Sequence, residues 1–201
     1  MSVRWKFLML YLPLSIALLR ADVATPDLAL QNVHGETERL ADFRGRIVVL
    51  NFWATWCKPC QKELPILVAS HASYAQRGVE FIAASLDDSE TRKDVPDFVQ
   101  RYRIPFRVWV GATPEQQAKL HLAKALPATA IVDRDGTVAF RIIGEARSEV
   151  LTERLEWLLS QREGLRPSEL VLPPGITPEH FREHELGLED KHEEAESEVP
   201  S

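Results

Sequence analysis

The chain has 201 residues, of which 45% are hydrophobic and 27% charged, and a net charge of −6. That length suits one domain of the usual ~100–150 residues plus extensions, with a core large enough to fold without disulfide staples. Residues 183–201 hold eight acids and one lysine and carry −7, so residues 1–182 sum to +1, a near-neutral balance that argues against nucleic-acid binding.

At the N-terminus, Arg4 and Lys6 precede an apolar run of 13 residues, Phe7 to Leu19. A membrane span needs about 20 residues, and a short run behind a basic start has the layout of a signal-peptide core. Ala21 can end a cleavage site, although Leu19 is larger than the small residue preferred two positions earlier. Residues 1–24 therefore read as a signal peptide or as an uncleaved membrane anchor. Pro13 and the flanking charges argue against a buried core helix. Both readings imply export.

Asp27 to Val33 is expected to form a strand entering the domain. Ile47 to Trp53 is continuously apolar apart from Asn51, the pattern of a strand buried on both faces. It feeds Trp56-Cys57-Lys58-Pro59-Cys60, which holds the only two cysteines of the chain. A helical pattern follows from Lys58 to Arg77 and stops at Gly78. This places Cys57 at an exposed helix start and Cys60 one turn in, less accessible. Helix N-termini carry free N–H groups and positive dipole ends, which favour thiolate over thiol. Free cysteine titrates near 8.5 and thioredoxin-type Cys-x-x-Cys sites near 7; at about 1.36 kcal/mol per unit, that is roughly 2 kcal/mol. Lys58 adds positive charge, and Pro59 suits the first helical turn, where its missing N–H would have had no partner. Cys57 is then the attacking thiol and Cys60 the resolving one. The other readings are half a zinc site or a buried pair. A zinc site needs two further ligands with their own spacing, and no second Cys-x-x-Cys is present.

Val79 to Leu86 reads as the next strand, and Asp87-Asp88-Ser89 as a cap for a helix reaching Arg103. Phe106 to Val110 is a short strand and Pro114 to Lys124 a helix. Thr129 to Val132 and Val138 to Ile143 flank Asp135-Gly136 as a hairpin. Ser148 to Arg162 is an amphipathic helix carrying Val150, Leu151, Leu155, Leu158 and Leu159. Strands alternating with helices imply a layered α/β sandwich. Beyond Gly164, Pro167, Pro173, Pro174 and Pro178 break regular structure. Leu170 to Leu172 can lie extended on the domain, and the acidic end reads as disordered. Residues 165–201 thus form a tail to a domain at 25–164. The histidines read as surface or packing residues.

Thr25-Pro26-Asp27-Leu28, Leu40-Ala41-Asp42-Phe43-Arg44-Gly45-Arg46 and Asn51-Phe52-Trp53-Ala54-Thr55-Trp56-Cys57-Lys58-Pro59-Cys60 together resemble the TlpA/ResA-type thioredoxin-like proteins, extracytoplasmic thiol–disulfide oxidoreductases. The resemblance spans about Thr25 to Gln161. It implies a thioredoxin-like three-layer α/β sandwich with a mixed central sheet. Pro65 matches the kinking proline of the active-site helix. Leu126-Pro127 matches the family's cis-proline, and Gly144 the glycine after the last strand. Trp56, Leu126 and Pro127 are then expected to shape the groove for substrate backbone, with Lys58 and Pro59 tuning the cysteines.

Asn51 departs from ordinary thioredoxin, where that position carries a buried aspartate serving the second cysteine. An amide cannot carry that proton. Glu63, three residues after Cys60 and so on the same helix face, can. A glutamate there is an active-site residue in the ResA-like branch, although an acid near a helix start is also favoured by the macrodipole alone. The resemblance implies a reductant acting on protein thiols and disulfides, such as those of apocytochrome c, recharged by a membrane electron donor, with the Cys57–Cys60 disulfide as its redox group and no further cofactor or metal. Two other classes compete. A thiol peroxidase would use Cys57, but the peroxiredoxin context Pro-x-x-x-Thr-x-x-Cys is absent. Copper-delivery proteins of this fold space their cysteines by three residues and use a histidine near the closing hairpin; here the spacing is two and no histidine lies between Leu122 and Glu179.

Overall fold

The computed structural model describes residues 28–179 and 181, so the expected export segment 1–24 and the acidic end lie outside the described residues. Eight strands build one mixed sheet: β1 (Ala29–Asn32), β2 (Thr37–Arg39), β3 (Ile47–Trp53), β4 (Val79–Ser85), β5 (Arg107–Val110), β6 (Ala128–Val132), β7 (Val138–Ile143) and β8 (Leu170–Val171). The helices are α1 (Lys58–Tyr74), α2 (Val95–Tyr102), α3 (Pro114–Ala118) and α4 (Ser148–Leu159). Across the sheet the order is β2-β1-β5-β4-β3-β6-β7-β8. β4 runs parallel to β3 and β5, whereas β6 is antiparallel to β3 and β7.

The apolar run of β3 puts this strand at the centre, with every residue buried. Its alternate positions feed two layers, as strand geometry requires. Val48, Leu50 and Phe52 meet Ile82, Trp109, Leu120 and Leu122 on one face. Ile47, Val49 and Trp53 face the other layer, where α1, α2 and α4 supply Leu64, Leu67, Phe98, Leu151 and Leu155. The expected three-layer α/β sandwich is therefore the architecture.

Several element ends differ from expectation for local reasons. The strand expected to enter the domain is present as β1, Ala29–Asn32, and turns back through positive-φ Gly35 into β2. α1 stops at Tyr74 and tightens into a 3-10 turn, Ala75–Arg77, closed by left-handed Gly78. The segment after β4 does not start a helix at once. Asp88 accepts the N–H groups of Glu90 and Thr91, a 3-10 turn follows, and α2 begins only at Val95. α3 ends at Ala118 rather than Lys124, because His121 takes a left-handed conformation and the chain there is held by the Gln117 amide donating to the Ala123 and Ala125 carbonyls. α4 ends at Leu159, before left-handed Gln161 and Arg162.

The segment expected to lie extended on the domain, Leu170 to Leu172, contributes a paired strand. β8 joins the sheet parallel to β7, with Arg141 donating its N–H to the Glu169 carbonyl at 2.7 Å. Leu170, Leu172 and Phe181 pack on the core. Arg154, 3% exposed, reaches across to the Ser168 carbonyl at 2.9 Å. The prolines flank this strand and leave its two central residues able to pair. Truncation before Arg166 is expected to expose the β7 edge and strand the Arg154 guanidinium, costing about 2–4 kcal/mol. At roughly 2–4 °C per kcal/mol for a chain of this size, thermal unfolding should show a fall of roughly 10 °C. Removal of residues 183–201 should leave both the melting temperature and exchange on a small disulfide substrate nearly unchanged. A several-fold loss of turnover from that shorter truncation would mean that the acidic end docks at the site.

Candidate active site

β3 delivers the chain through Ala54 and Thr55 to the start of α1, and there the two cysteines are joined as a disulfide with Cα atoms 5.3 Å apart. Cys57 is the N-cap of α1, and its Sγ accepts the N–H of Cys60 at 3.2 Å. The same N–H is available to a thiolate, so the local fold supplies the stabilisation expected from a helix start. Pro59 stands in the first turn, exposed beside exposed Lys58. In this disulfide form Cys57 is 5% exposed and Cys60 1%, so the order of accessibility is as expected but Cys57 is not an open surface group. The surface feature is Trp56, 58% exposed immediately before it.

The Leu126-Pro127 bond is cis, as the resemblance implied. Pro127 is buried, and its carbonyl accepts the Gly144 N–H at 2.9 Å. Leu126 packs against the cluster that contains both cysteines.

Glu63 faces inward from α1 and is 1% exposed. One carboxyl oxygen accepts the Asn51 amide at 2.7 Å and the other accepts the Ala146 N–H at 2.7 Å. Burial dominates its ionisation and pushes its pKa up to about 7; the two hydrogen bonds pull it back and the nearby Glu145 charge pushes further up. A carboxyl poised near neutrality is suited to take and return a proton. Asn51 therefore holds the acid rather than replacing it. Its amide also donates to Thr129 on β6 at 3.0 Å, which leaves its buried oxygen without a partner among the described residues.

Sequence reasoning missed Thr129, which meets Asn51 only through the pairing of β6 with β3, and Ala146, which meets Glu63 only through the turn after β7. It also placed Asp87 as a helix cap. Asp87 instead turns inward, 1% exposed, and binds Thr55 ahead of the cysteines. The adjacent pair Asp87-Asp88 gives no signal of which carboxylate turns in. Among the described residues, no group of three or more His, Cys, Asp or Glu side chains is arranged to hold a metal ion, and no helix is long and apolar enough to cross a membrane.

Residues 22–141 match the AhpC/TSA family. A protein of Bacillus thuringiensis named thiol-disulfide oxidoreductase ResA is 39% identical over 131 residues, covering 65% of this chain and 74% of that protein. A Bacillus subtilis protein of the same name is 32% identical over 119 residues, covering 59% of this chain and 65% of that one. Among solved structures, a secreted thiol-disulfide isomerase from Corynebacterium glutamicum superposes with a TM-score of 0.61 at 24% identity, covering 68% of this chain and 85% of that one. That structural likeness concerns the fold.

Proposed function

The chain belongs to the AhpC/TSA family and, within it, to the ResA-type thiol–disulfide oxidoreductases, and from this premise we propose that it works outside the cytoplasm as a reductant of protein disulfides. The observation that carries the reading is the placement of Cys57 as N-cap of α1 with the Cys60 N–H on its sulfur.

In the reduced protein, the Cys57 thiolate attacks one sulfur of a substrate disulfide. A Cys57–substrate bond forms, the substrate S–S bond breaks, and the departing substrate thiolate takes a proton. Cys60 gives its proton to Glu63 and attacks Cys57 Sγ, which releases the second substrate thiol and leaves the Cys57–Cys60 disulfide. The substrate gains two electrons and the dithiol loses two. Trp56, Leu126 and Pro127 form the surface on which substrate backbone docks, and Lys58 and Pro59 set the environment of the thiolate. The disulfide is the redox group, and no other cofactor is invoked. A membrane electron donor returns it to the dithiol, and the N-terminal segment exports the domain and can tether it. Apocytochrome c, with its Cys-x-x-Cys-His sequence, is the substrate class that the ResA name of the relatives supports.

Direction is a matter of small energies, since about 30 mV corresponds to 1.4 kcal/mol for a two-electron couple. The reduced protein is expected to reduce a disulfide-bonded Cys-x-x-Cys-His peptide faster than the oxidised protein oxidises its dithiol form. The reverse order would make the protein an oxidant. A compartment reporter fused after the domain is expected to lie outside the cytoplasm; a cytoplasmic reporter would overturn the export reading.

A further inference from the structure

Thr55, two residues before Cys57, is bound from two sides. Behind it, Asp87, two residues past β4, accepts the Thr55 N–H at 2.9 Å on one carboxyl oxygen and the Thr55 hydroxyl on the other. In front, the Thr55 carbonyl accepts the Gln61 side-chain amide at 2.8 Å, one residue past Cys60 on α1. Asp87 is itself fixed. Ser85 Oγ donates to it at 2.7 Å and receives its backbone N–H at 3.0 Å. The neighbouring Leu86 N–H donates to the Trp53 carbonyl at 2.8 Å, so the end of β4 is tied to the same loop. Every contact to the Asp87 side chain is a donated hydrogen, which an acceptor-only carboxylate matches without remainder.

We propose that Asp87 is a positioning residue that holds the Thr55–Cys57 loop against α1 and thereby sets how readily Cys57 and Cys60 close their disulfide. It touches neither sulfur. Closing a ring between two thiols depends on how often they meet, and fixing one side of the pair raises that frequency without a new contact at the reacting atoms. Buried bonds to a charged acceptor are the stronger kind and hold such a loop with little slack. The inference rests on Cys57 and Cys60 being the exchanging pair.

The test is the Cys57–Cys60 redox equilibrium of the full chain in dithiothreitol buffers, read beside the melting temperature. Asp87→Asn keeps the shape but replaces the charge and one acceptor. It is expected to shift the equilibrium about tenfold toward the dithiol, a change of about 30 mV, and to lengthen the life of a Cys57 mixed disulfide. Thr55→Val removes only the hydroxyl contact, should move the equilibrium in the same direction by a smaller factor, and should add little in the Asp87→Asn background, because the two act through one contact. Val79→Ala, at the far end of β4, serves as a control that lowers stability and leaves the equilibrium in place. If Asp87→Asn fails to fold, Thr55→Val decides. An unmoved equilibrium in Asp87→Asn or, failing that, in Thr55→Val overturns the proposal, as does an equal shift in Val79→Ala. A parent protein with no measurable Cys57–Cys60 couple would instead overturn the exchange reading itself.

Discussion

Cys60→Ser is expected to convert the protein into a trap that accumulates mixed disulfides through Cys57, while Cys57→Ser accumulates none. The asymmetry follows from the start of α1. Cys57 caps the helix and receives the Cys60 N–H, whereas Cys60 is one turn in and 1% exposed. A substrate therefore meets Cys57 first. Release then depends on a second thiol already held beside the bond to be broken. Well-oriented intramolecular reactions reach effective molarities of about 10⁵–10⁸ M, which millimolar external thiol cannot replace, so turnover should fall on the order of 10³-fold or more in either variant. The variants differ in what they hold. Non-reducing gels followed by mass spectrometry of the captured peptides should find Cys57 adducts only in Cys60→Ser. Equal capture by both variants would remove the assignment of attacking and resolving roles.

What could be read from the chain, and what could not, divides by the range of the contacts involved. The run Ile47 to Trp53 announces a central strand because its burial is written in its own residues. The cysteines, Pro59 and the following helical pattern announce the active-site turn for the same reason. Ser85, Asp87 and Thr55 give no comparable signal: their meaning depends on β4 lying parallel to β3, with Trp53 opposite Ser85. For β8 the extended course was legible but the pairing was not, because its two residues lie among prolines and only the edge of β7 makes them a strand. Arg154 shows the same limit from the other side. A charged residue in an amphipathic helix reads as solvent-facing, yet it is 3% exposed because the Ser168 carbonyl and the face of Phe140 receive it. Glu63 falls between these cases. Its spacing from Cys60 marked it as an inward acid, but its partners Asn51 and Ala146 come from β3 and the turn after β7, and Asn51 is in turn held by Thr129 of β6.

Glu63→Gln should change the pH dependence of both stability and resolution. In the folded protein burial raises the Glu63 pKa from 4.5 to about 7, so the native state holds this proton more tightly than the unfolded chain does. The parent carries no penalty from the group below about pH 4.5, acquires one as pH rises, and carries it in full above about pH 7. At about 1.36 kcal/mol per unit this penalty is on the order of 3 kcal/mol. Glutamine has no such titration, so the stability of the variant should stay nearly level across that window and gain on the parent at its alkaline end. The gain is reduced by a rearrangement. The glutamine side chain can still accept the Ala146 N–H, but its own amide then faces the Asn51 amide, which must rotate by half a turn to offer its oxygen. That oxygen has no other partner among the described residues, which makes the rotation feasible. Chemistry should suffer where folding does not. In the proposed role, Glu63 takes the Cys60 proton once the disulfide opens. A positioned proton acceptor typically contributes about 10²–10⁴-fold, so resolution of a Cys57 mixed disulfide near neutral pH should slow by about 10²-fold in Glu63→Gln, and its inflection near pH 7 should vanish. Stopped-flow resolution of a preformed mixed disulfide between pH 5 and 9 reads this directly, in steps of about one unit that bracket the Glu63 pKa. A rate profile that overlays the parent's would reduce Glu63 to a buried structural acid, and Cys60 would then give its proton to water.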